Sequence, residues 1–134
     1  MEGTFKIGKL DAARRQLDTA LLLYFNHVDP VSIHTLGAAA DGILRDLSTT
    51  PTLTQRGLEE LPPELRTAIE KALKVPQNFL KHADRDPEEI LDFAPGITEL
   101  MLLDASAKYW ELSGEKTPMT KAYEVWFSLQ HPEY

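Results

Sequence analysis

A chain of 134 residues with a formal charge of -7 is the length of one domain, and its acidic balance disfavours long-range attraction of the whole molecule to nucleic acid or an anionic membrane. It has no cysteine, which excludes disulfides, thiolate metal centres and a cysteine nucleophile. A hydrophobic share of 43% excludes a disordered chain.

Leu occurs 20 times and Ala 13 times, against 10 for Val and Ile together. Leu and Ala lose little freedom in a helix, whereas β-branched residues suit strands. The prediction is an all-α single domain over residues 1–134: an antiparallel bundle of four to five main helices with short accessory ones. The first ten residues carry no signal-peptide pattern. The longest apolar run, Ala20 to Phe25, is far below the roughly 20 residues of a membrane span. A soluble, cytoplasmic protein is the expectation.

The first helix is predicted from Lys9 to Phe25, with Leu10, Ala13, Leu17, Leu21 and Tyr24 at helical spacing. Asp29-Pro30 opens a second, since Asp caps free N–H groups and Pro suits the first helical position. Its Gly37 to Ala40 surface is narrow, fit for a close helix contact within the bundle or for self-association. Ser48 to Gly57 reads as the one long loop. A third helix starts at Leu61-Pro62-Pro63, turns Leu65, Ala68, Ile69, Ala72 and Leu73 inward, and is stopped or kinked by Pro76. A short helix over Gln77 to Ala83 and a turn at Asp86 to Glu89 follow. Pro95 opens the next long helix, with Ile97, Leu100 or Met101, Asp104, Ala107 or Lys108 and Glu111 close to one line, Leu103, Ala107 and Trp110 on the more apolar line, and Gly114 as its end. Thr117-Pro118 opens the last. The rings of Tyr109, Trp110, Tyr123, Trp126 and Phe127 are candidates for core or for a dimer face.

Charge is distributed unevenly. Arg66, Lys71, Lys74, Lys81 and Arg85 make residues 66–85 basic. Residues 86–104 hold Asp86, Glu88, Glu89, Asp92, Glu99 and Asp104 without a base. The sequence has no phosphate-binding glycine loop, no G-x-S-x-G and no H-E-x-x-H. The densest polar cluster is Gln77 to Asp86. Asn78 and His82 stand one helical turn apart; His moves protons near neutral pH, and Lys74, Lys81 and Arg85 lie close enough in sequence to hold a phosphate. The same pair also suits a buried hydrogen bond that fixes a kink at Pro76. Asp104 interrupts an apolar run and needs a partner if buried; Arg45, His34 and His82 are the candidates. His34, His82 and Asp104 together are also candidate metal ligands.

Three segments, Lys9 to Leu47, Asn78 to Pro87 and Glu99 to Ala105, resemble a family of short all-helical bacterial proteins with no assigned activity. Gln77-Asn78-x-x-x-His82 further resembles the motif of the HEPN superfamily of nucleotide-binding helical bundles. Many of these are dimeric, metal-independent ribonucleases with an Arg, a polar residue such as Asn, and a His about one turn on. The resemblance implies a catalytic role for His82 as acid or base, for Asn78 in orienting phosphate or ribose, and for Lys81 in stabilising charge. Gln77 stands where that motif has Arg, and it lacks the fixed charge that steadies a phosphoryl transition state. The expected function is therefore a non-catalytic, dimeric binding module without a cofactor, its partner being a second copy, another protein, or RNA or a nucleotide. The alternative is a metal-independent ribonuclease.

Overall fold

The computed structural model describes residues 1–51 and 53–133, with nothing said of the side chains of residues 53 and 54. Thr52, inside the expected loop, and Tyr134 lie outside the described residues. Every regular element among them is helical: α1 (Lys9–Phe25), α2 (Pro30–Leu47), α3 (Leu53–Glu59), α4 (Pro63–Lys81), α5 (Pro95–Ser113) and α6 (Pro118–Gln130). None is long and apolar enough to cross a membrane.

The helix ends follow the local chemistry. Asp29 accepts a hydrogen bond from the Ser32 amide at 3.0 Å, with Pro30 in the first turn of α2. Thr117 does the same for Thr120 at 3.1 Å at the start of α6. Gly114 ends α5 at φ 75°, a left-handed conformation that costs glycine nothing.

Four helices share the core. Ala13, Leu17, Ala20 and Leu21 of α1 pack with Ile33, Ala40 and Leu44 of α2, Leu102, Ala105 and Tyr109 of α5, and Tyr123 and Phe127 of α6. Tyr24, Phe25, Tyr123 and Trp126 interlock, mostly edge to face, the geometry that ring quadrupoles favour. The Tyr24 hydroxyl donates to Glu99 Oε1 at 2.7 Å and the Tyr123 hydroxyl to the Glu99 carbonyl at 2.6 Å. These two bonds tie α1 and α6 to the first turns of α5.

Several expectations are corrected. The buried line of α5 is Leu102, Ala105 and Tyr109, not Leu103, Ala107 and Trp110; Trp110 is exposed, with the Lys116 ammonium over its ring at 4.4 Å. Of the two uses the narrow Gly37 surface suited, the structure shows the close helix contact within the bundle. A Cβ built there would lie 2.8 Å from Met101 Cε and 3.0 Å from Leu102 Cδ2, so α2 and α5 meet at this position. Of the C-terminal rings, Tyr109, Tyr123 and Phe127 belong to the core.

The second half of the expected loop at 48–57 is helical, the start of α3. Long-range contacts hold it. The buried Lys108 ammonium reaches the Thr50 carbonyl and hydroxyl, each at 2.8 Å, the Pro51 carbonyl at 3.1 Å and Glu111 at 3.0 Å. Arg66 donates to the carbonyls of Leu58, Glu59 and Leu61, which satisfies the free end of α3. Pro76 does not stop α4. The helix runs through it to Lys81, and Pro76 is its one fully buried residue. Packing around the ring thus sustains a helical path that would cost an isolated peptide about 3 kcal/mol. Of the residues expected inward, Leu65 is half exposed and Ala68 and Ala72 are exposed, while Ile69 and Leu73 are partly buried.

Candidate functional site

Asp86 to Glu89 forms the expected turn, and the segment from Gln77 onward divides between α4 and the irregular chain after it. Asn78 is exposed on α4, Lys81 is exposed at its end, and His82 is the half-buried residue that follows the last turn. Among the described residues neither Asn78 nor His82 has a hydrogen-bond partner, so the pair is not the buried lock that a kink at Pro76 would need. Lys74 and Arg85 are exposed as well.

A more enclosed polar arrangement lies one layer in. His34 and Asp41 sit on α2 two turns apart and are 0% and 1% exposed. Asp104 on α5 is also buried. His34, Arg45 and Asp104 line a cleft between α2 and α5, and Leu73 and Gln77 of α4 cover it. The cleft has room for about one water molecule, ≈ 10 Å³. His34, Arg45 and Asp104, which the sequence analysis grouped, thus line one cleft. His82 does not line it. No group of three His, Cys, Asp or Glu side chains among the described residues is placed to hold a metal ion.

The electrostatics of this cluster follow from burial. His34 Nδ1 is 2.8 Å from Thr98 Oγ1, and its ring stands edge-on to Phe93. Removal from water lowers its pKa, so the ring is neutral at pH 7. Its Nε2 has no hydrogen-bond partner. Asp41 Oδ2 accepts from Arg45 Nε at 2.8 Å, while Oδ1 is unpaired. Burial pushes the Asp41 carboxyl up to about 6; Arg45 opposes that rise and the Asp104 charge adds to it. Gln77 donates to the Met101 sulfur at 3.8 Å.

Asp41 is the residue that the sequence reading missed. The signal was present: 34, 37, 41 and 44 step by three and four along α2, so an acid at 41 shares the inner face with His34. No family model, curated protein or solved structure matches the chain.

Proposed function

We propose that this protein is a non-catalytic interaction module that pairs with a second copy of itself through α4 and the acidic segment after it. The observation that carries this reading is the state of α4. It is a 19-residue amphipathic helix in which only Pro76 is fully buried, and Leu65 stays 49% exposed. A helix with an uncovered apolar stripe gains most from a partner that covers it.

The charges select the occupant. Arg66 is committed to the end of α3, which leaves Lys71, Lys74, Lys81 and Arg85 exposed. Asp86, Glu88, Glu89 and Asp92 follow at once and are exposed too. A two-fold axis across this boundary sets each basic block against the acidic block of the other copy.

Sedimentation equilibrium tests the pairing. We expect a dimer at low salt that weakens as the ionic strength approaches 1 M, where the Debye length falls to about 3 Å. Lys71→Glu with Lys74→Glu is expected to yield a folded monomer. A wild-type monomer at all salt concentrations, or a doubly substituted chain that still pairs, rejects the proposal.

The ribonuclease reading rests on Asn78 and His82, whose side chains are solvent-accessible and have no hydrogen-bond partner among the described residues. With Gln77 in the arginine position, no fixed cation belongs to that pair. Purified protein in excess EDTA is expected to leave RNA intact. Cleavage that His82→Ala abolishes would reverse this conclusion in favour of a metal-independent enzyme.

A further inference from the structure

We propose that the cleft between α2, α4 and α5 binds one soft monovalent metal ion, Cu(I), between the Nε2 nitrogen of His34 and the thioether sulfur of Met101. The site is independent of the pairing surface, which uses the exposed lysines of α4.

The nitrogen donor is the first reason. His34 is fully buried on α2, lines the cleft, and has an Nε2 without a hydrogen-bond partner. Its Nδ1 is 2.8 Å from the Thr98 hydroxyl oxygen. In the tautomer in which Nδ1–H donates to that oxygen, Nε2 carries the lone pair and the ring is held in place. Metal-binding imidazoles are oriented in this way, by a hydrogen bond at the nitrogen away from the ion. Burial keeps the ring neutral at pH 7, so no proton has to leave when a metal binds.

The sulfur donor is the second. Met101 of α5 is 4% exposed and lines the same cleft. Two contacts place its thioether. Gln77 of α4 donates to the sulfur at 3.8 Å. The methyl, one bond beyond the sulfur, lies against α2 at Gly37, 2.8 Å from where a Cβ would stand. Positions 34 and 37 are neighbours on one face of α2, so the thioether is held against the turn that carries His34. A thioether sulfur has two lone pairs, and Gln77 takes one of them.

Donor type, space and charge narrow the class. A thioether with an imidazole is a soft set that favours Cu(I) over Mg(II) and Ca(II), which take oxygen ligands. Two donors suffice for Cu(I). Structural Zn(II) takes four, and the described residues place no group of three His, Cys, Asp or Glu for it. Space for about one water fits a bare ion and excludes a hydrated one. Arg45 also lines the cleft, with its Nε engaged by Asp41 at 2.8 Å, and it repels a monovalent ion half as strongly as a divalent one. Asp104 has an interaction of its own, and the site draws nothing from it. Leu73 and Gln77 cover the cleft from α4, whose one fully buried residue is Pro76, so a small outward movement of α4 admits the ion.

The test uses the full chain with 15N-labelled histidine and 13C-methyl methionine. It is titrated with silver nitrate in chloride-free buffer, Ag(I) being a redox-inert probe for Cu(I), and then with Cu(I) under anaerobic conditions. With each ion the His34 Nε2 and Met101 methyl signals should move together and saturate at one ion per chain. The Met1 and Met119 methyls should stay in place over that first equivalent, and the unfolding midpoint should rise in parallel. Met101→Leu conserves volume and should fold. It identifies the Met101 signal and should weaken binding at least about tenfold, no less than the loss of a residue that merely orients a ligand. If that variant does not fold, the joint movement of the two wild-type signals carries the test. His34 and Met101 signals that stay in place, as in a cleft that holds only water, overturn the proposal. So do signals that move at different ion concentrations, full affinity in folded Met101→Leu, or zinc sulfate shifting His34 as strongly as Ag(I).

Discussion

Asp41→Asn should stabilise the protein at pH 8 by up to about 3 kcal/mol and change it little at pH 4. The gap between the ordinary carboxyl value of 3.8 and about 6 in the fold corresponds to about this energy. The sign follows from the direction. A carboxyl whose folded pKa is raised binds its proton more tightly in the fold, so it favours folding when protonated. That advantage is complete below 3.8 and is lost as pH rises through about 6. Above that, the native state carries a buried carboxylate with one unpaired oxygen. Asn removes the charge and keeps the shape. It also forfeits the ion pair with Arg45, but the Arg45 side chain is 37% exposed and regains water. His34 acts in the opposite sense: its lowered pKa gives stability that is present above 6.5 and lost as pH falls. The substituted protein should therefore lose stability steadily on acidification below 6.5, whereas the wild type shows two opposed trends. Urea unfolding at pH 4, 6 and 8 measures both. A destabilised variant at pH 8 would mean that the Arg45 pair outweighs the burial of its partner.

Gly37→Leu should cost about 3 kcal/mol or more, while Gly42→Leu on the same helix costs nothing. A Cβ at 37 already meets Met101 Cε at 2.8 Å and Leu102 Cδ2 at 3.0 Å, and a Cβ at 42 meets nothing within 4 Å. Overpacking a close helix contact typically costs 1 to 3 kcal/mol, and leucine adds three further carbons that the α2–α5 contact has no room for. Alanine at 37 is the informative intermediate. The Met101 methyl is the end of a flexible chain and can turn aside, and alanine recovers about 1 kcal/mol of helix propensity over glycine. Its net effect should lie within about 1 kcal/mol of zero. Denaturant midpoints of the three variants decide this. Because Gly37 is inside the bundle, the folded fraction of each should keep the wild-type mass. A variant that folds as well as wild type but loses its dimer would return Gly37 to the self-association surface.

The sequence by itself determined that the protein is all-α and where α1, α2, α5 and α6 begin and end. Those boundaries are set within one turn of chain. Asp29 with Pro30 and Thr117 with Pro118 supply caps to amides next to them, and Gly114 supplies the one backbone conformation that closes α5. It also pointed to His34, Arg45 and Asp104 as one group, since a buried polar residue on an apolar line needs a partner, and the three line one cleft. Only the tertiary structure decided the rest. α3 is held by Lys108, which reaches back more than 50 residues to Thr50 and Pro51, and by Arg66 of α4. α4 continues through Pro76 because the ring is buried. The apolar residues of α5 extend almost around the helix, so periodicity could not choose between Leu102 and Leu103 as the inward one. The narrow face at Gly37 suited a helix of the same chain or of another copy, and space within the bundle settled it for α5. Local hydrogen-bond needs are met by neighbours in sequence and can be read there. Volume and long-range charge are satisfied by whichever residues the fold brings near, and spacing along the chain does not contain that information.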